Sequence, residues 1–185
     1  MRRSKSLTTI KILDAAYGLM WRQGFLRVSM DEIAQRAGVT KRTLYQHFPS
    51  KDDLLSATLA HSSELALARL RDFPVSTTPD DFIDAFFSRL ASWAAKPRWS
   101  GGGFTRVVVE LADLRGHPAR SVARKHKAAV EQWLASTLSS IQVPSPAARA
   151  RDIMLLMEGA MALMLIHGNR DYAAAAAKAA KALVV

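Results

Sequence analysis

The sequence contains no cysteine among its 185 residues. Disulfides, thiolate nucleophiles, iron–sulfur clusters and cysteine-ligated zinc are therefore excluded. It also has no long apolar run, because its most apolar stretch, residues 153–166, is interrupted by Glu158 and is too short to span a membrane. The basic N-terminus leads into an amphipathic segment and not into the apolar core of a signal peptide. We therefore expect a cytoplasmic protein with no membrane partner.

Motifs of catalysis and cofactor binding are also missing. The five histidines are scattered and show no metal-binding spacing, and the serines lie in caps and turns with no nucleophile elbow. The segment SGGGF at 100–104 lacks the Lys-Ser/Thr that follows a phosphate-binding loop. The sequence therefore predicts no enzyme, no catalytic residue, no metal site and no cofactor.

Acidic residues are scarce, with 16 Asp and Glu against 26 Lys and Arg, which gives a net charge of +10. Ten of the basic residues but only Asp14, Asp31 and Glu32 among the acidic ones fall within residues 1–51. This asymmetry indicates a polyanionic partner. The alternative is a solubilising basic face, and charge alone does not separate the two.

Hydrophobic periodicity predicts an all-α protein of about nine helices. The valines at 107–109 favour a strand by propensity, but the chain offers no partner strand, so we predict a helix there. We divide the chain into a small helical domain at 1–50, supported by the start of the fourth helix, and a larger helical domain at 51–185. The predicted helices cover residues 8–23, 30–37, 41–47, 51–71, 80–96, 104–114, 119–141, 146–167 and 171–183.

Residues 29–48 have the layout of a helix-turn-helix. SMDE at 29–32 is a capping box that starts the first of the two helices. Ala34 is small enough for the helix crossing, Gly38 permits the tight turn, and Thr40 is a suitable N-cap for the second helix. The apolar seam between the helices consists of Ile33, Ala37, Val39, Leu44 and Phe48.

The outer face of the second helix has the chemistry of a DNA reader. Lys41 and Arg42 can reach guanine edges or phosphate, and Thr43 can contact a thymine methyl group or a backbone oxygen. Tyr45, His47 and Lys51 are placed to bind phosphate, although Tyr45 and His47 could instead be partly buried seam residues. The basic residues Arg2, Arg3 and Lys5 could add charge or enter a minor groove.

SMDEIAQRAGVTKRTLYQHFPSKDDLL resembles the DNA-binding domain of the TetR family of transcriptional regulators, and the resemblance covers about residues 8–55. GGGFTRVVVELADLRGHPA is similar to one C-terminal subgroup of these regulators. Arg42 departs from the family pattern, which often has glycine or proline there, so its contact could be a base or a phosphate. The resemblance implies operator contacts from Ser29, Thr40, Lys41, Arg42, Thr43, Tyr45, His47 and Lys51.

For the remainder, the resemblance implies a helical ligand-binding and dimerisation domain. Methionines recur at helical spacing, which suits a pocket for variable apolar ligands but also a plain core or interface. Glu110 and Glu158 could face a ligand, and a salt bridge to a nearby arginine is the favoured alternative. The predicted ligand contacts are Trp93, Phe104, Glu110, Trp133, Met154, Met157 and Met161.

The helix at 146–167 is apolar nearly all round, so it needs cover on two sides. We predict a homodimer through the last two helices, with Gly159 and Ala162 allowing close approach, on a palindromic double-stranded operator. The predicted function is a ligand-responsive transcriptional regulator, a repressor released by an apolar small molecule. The alternatives are a small-molecule-binding protein or enzyme with a vestigial DNA-binding head, and a sequence-independent DNA coater.

Overall fold

The computed structural model describes the backbone of residues 2–184 and the side chains of residues 7–184. Within that part of the chain, the fold has nine helices and no strand. The helices are α1 (Arg2–Gln23), α2 (Met30–Ala37), α3 (Lys41–His47), α4 (Lys51–Arg71), α5 (Pro79–Ala94), α6 (Gly103–Glu110), α7 (Pro118–Ser140), α8 (Pro146–His167) and α9 (Asp171–Leu183).

The chain divides into two compact units. The first unit comprises Met1–Ala68 and Gly103–His126, and the second comprises Arg69–Gly102 and Lys127–Val185. Helices α4 and α7 therefore each begin in the first unit and end in the second. Helix α6 belongs to the first unit although it follows α5 of the second.

One apolar core holds the first unit together. It joins α1, α2, α3 and the start of α4 to α6 and the start of α7, and the apolar face of each helix points into it. The start of α4 contributes Leu54, Leu55 and Leu59 to this core. The most deeply buried members include Ile12, Met20, Phe25, Ile33, Leu44, Leu54, Leu59, Val107 and Leu111.

The second unit is a bundle in which α9 packs against both α8 and α5. Its buried alanines, Ala173, Ala176 and Ala180, recur every three to four residues and allow α9 to approach its neighbours closely. Lys181 at the end of α9 donates to Asp84 Oδ2 of α5 at 2.6 Å, which closes this side of the bundle. An aromatic cluster formed by Phe73, Phe82, Phe86 and Trp133 fills another part of the unit.

Two predicted helix boundaries differ from the structure by more than two residues. Helix α1 begins at Arg2, six residues before the predicted start, because no glycine or proline interrupts the backbone there. Helix α6 ends at Glu110 and not at residue 114. The reason is that Arg120 Nη1 donates to the carbonyls of Leu111, at 3.4 Å, and Ala112, at 3.1 Å, while tight turns follow. The side chains of Arg2, Arg3 and Lys5 lie outside the described residues.

Across the described residues, no helix is both long and apolar enough to cross a membrane.

Candidate nucleic-acid interface

Helix α2 is fixed at its start by the predicted capping box. The Ser29 hydroxyl accepts from the Glu32 amide at 3.2 Å, and the Ser29 amide donates to Glu32 Oε2 at 2.8 Å. The backbone hydrogen bond from Ser29, followed by its side-chain hydrogen bond, lowers the pKa of Glu32. The box satisfies two amides that the first turn of a helix leaves unpaired.

The turn between α2 and α3 depends on Gly38, which takes the left-handed conformation with φ 65° and ψ 35°. Its amide donates to the carbonyls of Ala34 and Gln35, which ends α2. Thr40 then caps α3, because its hydroxyl accepts from the Thr43 amide at 3.1 Å. The Thr40 and Thr43 hydroxyls also lie 2.8 Å apart and are hydrogen-bonded to each other.

Helix α3 has one buried side and one exposed side. Leu44 is fully buried, and it lies in the same core as Ile33 and Phe48. Lys41, Arg42, Tyr45 and Gln46 are exposed, whereas Thr43 and His47 are half-buried. The arrangement holds α3 rigidly while it presents cationic and hydrogen-bonding groups to solvent, as a helix that enters a DNA groove must do.

Three of the exposed or half-exposed polar side chains are oriented by neighbours in the same unit. Lys41 Nζ lies 2.8 Å from Asp31 Oδ1, and the hydrogen bond and charge of Asp31 raise the pKa of Lys41. His47 Nδ1 lies 2.9 Å from the hydroxyl of Thr9 on α1. Lys51 Nζ donates to the carbonyl of Leu26, in the turn before α2. Of the eight sequence-predicted DNA contacts, six lie on α3 or at its N-cap, Ser29 caps the start of α2, and Lys51 lies at the start of α4.

Sequence reasoning missed these orienting residues. Thr9 and His47 are 38 positions apart, and Lys41 and Asp31 are ten apart on different helices. No helical or strand spacing relates such pairs, so only the packing of the folded unit could reveal them.

The predicted ligand contacts are divided between the two units. Phe104 and Glu110 belong to the first unit, and the other five belong to the second. Phe104 stacks on His126 with ring centroids 3.7 Å apart. Glu110 forms a salt bridge with Arg106 at 3.0 Å, which is the arrangement favoured as the alternative to ligand binding. Glu158 pairs with Lys127.

In the second unit, Trp93 contacts Trp99 with ring centroids 5.7 Å apart, and Trp133 belongs to the aromatic cluster. Met154, Met157 and Met161 are buried along one side of α8. Among the described side chains, no three His, Asp or Glu residues are grouped so as to hold a metal ion.

The all-helical fold and the capped, exposed α3 define a helix-turn-helix DNA-binding transcriptional regulator. Comparisons with known proteins agree. The family model described as bacterial regulatory proteins, tetR family, matches residues 12–58. The chain is 36% identical over 127 residues to the HTH-type transcriptional regulator UidR of Escherichia coli, a match that covers 69% of this chain and 62% of UidR.

Solved structures resemble nearly the whole length of the chain. A TetR-type transcriptional regulator from Streptomyces avermitilis superposes with a TM-score of 0.78 at 30% identity, over 94% of this chain and 98% of that one. The reduced form of Escherichia coli NemR superposes with a TM-score of 0.87 at 21% identity, over 96% of this chain and 98% of that one. The protein belongs to the TetR family of transcriptional regulators.

Proposed function

We propose that the protein is a homodimeric repressor that binds a palindromic operator and is released by a small apolar effector. The observation that carries the proposal is the division of α3 into a buried side anchored by Leu44 and an exposed side with Lys41, Arg42 and Tyr45. A rigid helix with exposed cations and hydrogen-bond donors matches the requirements of major-groove recognition. The proposal gives the protein no catalytic role and places it in the cytoplasm with its DNA.

The position of each residue on its helix indicates whether it should contact a base or a phosphate. Lys41, Arg42 and Thr43 lie in the first turn of α3, which is the part of a recognition helix that reaches base edges. Tyr45 and His47 lie further along α3, where phosphates flank the groove. Ser29, Thr40 and Lys51 complete the phosphate contacts, because each lies at the start of a helix, where anions are favoured.

The apolar surface of α8 supports a two-fold dimer. Leu155, Gly159, Ala162 and Ile166 are exposed and follow one another at helical spacing. Leu155 is 69% exposed and Ile166 is 71% exposed, although both are large and apolar. The small residues between them allow close approach by the same helix of a second copy. Two copies joined in this way would present two α3 helices to a palindromic site.

We restrict the proposed effector contacts to the second unit, namely Trp93, Trp133, Met154, Met157 and Met161. Methionine side chains adapt to irregular apolar ligands, and aromatic rings contribute large contact areas. Phe104 and Glu110 are left out because His126 and the α1–α2 turn already occupy them.

The DNA-binding part is tested by selecting duplexes from a random pool with the full-length protein. We expect an inverted-repeat consensus and an affinity for it at least about a thousandfold above that for random DNA. Selected duplexes without a consensus, or equal affinity for random DNA, would instead indicate a sequence-independent DNA coater.

The effector part is tested by adding a panel of apolar small molecules to the protein–operator complex and following its fluorescence anisotropy. A true effector should release the DNA and should also raise the thermal midpoint of the free protein. A molecule that stabilises the protein but never alters DNA binding would favour the alternative of a ligand-binding protein with a vestigial head.

A further inference from the structure

We propose that Arg106 and Glu110, which lie on α6 away from the recognition helix, are positioning residues for DNA binding. They hold the segment that connects α1 to α2, residues 24–29, which we call the joint. Through the joint they also hold the side chain of Lys51. The inference rests on the proposed operator binding, and it assigns to that activity two residues outside the helix-turn-helix.

Glu110 is bound to the backbone of the joint. Its Oε2 accepts from the Phe25 amide at 2.7 Å and from the Leu26 amide at 3.3 Å. These amides follow the end of α1 and have no helical partner, so a carboxylate that accepts from both fixes the path of the chain. The contact joins residues 85 positions apart in the sequence.

Arg106 binds the joint from its other side, and we call Arg106 and Glu110 together the clamp. Its Nη1 donates to the Trp21 carbonyl in the last turn of α1 at 3.0 Å, and its Nε donates to Glu110 Oε1 at 3.0 Å. One guanidinium therefore holds a carbonyl in the last turn of α1 and also orients the carboxylate of Glu110. The Arg106 side chain is 31% exposed and the Glu110 side chain is 24% exposed, and this partial shielding strengthens the pair relative to a fully exposed one.

The packing of α6 against α1 also depends on close approach at Gly103. A Cβ atom at this position would lie 1.7 Å from Cη2 of Trp21, so only glycine leaves room for the indole ring. Helix α6 thus contacts the last turn of α1 at Gly103 and the segment that follows α1 at Glu110.

The joint leads directly to the DNA-binding surface. The backbone amide of Leu26 donates to Glu110, and the carbonyl of the same residue accepts from Lys51 Nζ. Ser29, which caps α2, follows three residues later. A shift of the joint would therefore move Lys51 and the start of α2 together, and a recognition surface displaced by a fraction of an ångström loses specific contacts before it loses general attraction to phosphate.

The test uses two variants of the full-length protein, Glu110→Gln and Arg106→Lys. We expect each to lower the affinity for the selected operator about tenfold, as the loss of a charge-assisted hydrogen bond does, and to lower the affinity for random DNA less, because a displaced Lys51 keeps its charge. Charge alone predicts a different result. Glu110→Gln removes a negative charge and would tighten DNA binding, and Arg106→Lys keeps the charge and would leave the affinity unchanged. The matched control is Glu64→Gln, an exposed carboxylate on α4, which should leave the operator affinity within about twofold.

A second measurement reports on the clamp itself. In the wild-type protein the Phe25 and Leu26 amides should exchange slowly with deuterium, and Glu110→Gln should accelerate their exchange while the core of α2 stays protected.

Operator affinity equal to wild type in both variants would overturn the proposal, and so would an equal loss on operator and random DNA. Loss of the helical circular dichroism signal in both variants would also overturn it, because the pair would then be needed for folding and not for positioning. If the wild-type protein itself shows no operator preference, the proposed function fails first, and that result is distinct from failure of the clamp.

Discussion

Arg42 and Lys51 carry the same charge in different surroundings, and we predict different effects of removing them. Arg42 projects from the exposed side of α3, whereas the ammonium group of Lys51 is bound to the Leu26 carbonyl beside α2. Arg42→Ala should cost about 1–3 kcal/mol at one operator position and relax base preference there. Lys51→Ala should weaken binding evenly across sequences. Dissociation constants for single-base operator variants measure both, and an even loss for Arg42→Ala would make its contact a phosphate.

Glu32 gives a prediction for pH. Its pKa is lowered in the folded protein by the hydrogen bonds from Ser29, so the carboxylate stabilises the fold above its unfolded pKa. This stabilisation is lost as the pH falls through the lower, folded pKa. In Glu32→Gln the thermal midpoint should therefore fall below wild type at about pH 7, and the difference should shrink towards about pH 3. A difference that does not change with pH would show that the charge of Glu32 contributes nothing.

The contacts that could be predicted at this scale are those made within a few positions of one another. Ser29 with Glu32 and Thr40 with Thr43 are both three apart, and propensity for helix caps indicates them directly. Thr9 with His47 and Glu110 with Phe25 depend on how the helices pack, so no local pattern contains them.

At the scale of elements, the turn between α2 and α3 should be the most sensitive point of the helix-turn-helix. Gly38 has φ 65° and open space around its Cβ position, so an alanine there would meet no atom but would be held in a left-handed conformation. We predict that Gly38→Ala lowers the free energy of unfolding by about 1 kcal/mol in urea titration.

Gly116→Ala is the matched control for this prediction. A Cβ at Gly116 also meets nothing, and its φ lies outside the left-handed region, so the free energy of unfolding should change little or rise. Equal losses in the two variants would mean that backbone strain at Gly38 is not the cause.

Helix boundaries could be predicted wherever the chain carries its own start and stop signals. The capping box, Gly38 and Thr40 fixed α2 and α3 to the residue. The end of α6 was misplaced because Arg120, nine residues beyond Leu111, takes carbonyls that would otherwise continue the helix. The sequence also could not predict that α6 belongs to the first unit, because the contacts that place it there come from residues distant in sequence.

For the whole molecule, the proposed dimer predicts that charge on the exposed side of α8 separates the protomers. Leu155→Glu with Ile166→Glu should give a monomer in sedimentation velocity at micromolar concentration, because two buried carboxylates per protomer would lack partners. Operator affinity should fall steeply, since one head makes only half of the contacts.

Val75→Glu is the control for surface charge as such, because Val75 is 96% exposed and lies outside the helices. It should leave the sedimentation coefficient unchanged. A double variant of α8 that sediments like the wild type would rule out this face as the dimer interface.

The ion pair between Lys41 and Asp31 affects how many neutralised phosphates are inferred from the salt dependence of DNA binding. If Lys41 leaves Asp31 to contact the DNA, as proposed, the carboxylate is released beside the duplex and recruits a cation from the buffer. That uptake offsets one of the ions the DNA gives up, so the slope of log affinity against log salt should understate the number of neutralised phosphates by about one. Asp31 thus serves as a tethered counter-ion, and Asp31→Asn should steepen the slope while it tightens binding at low salt.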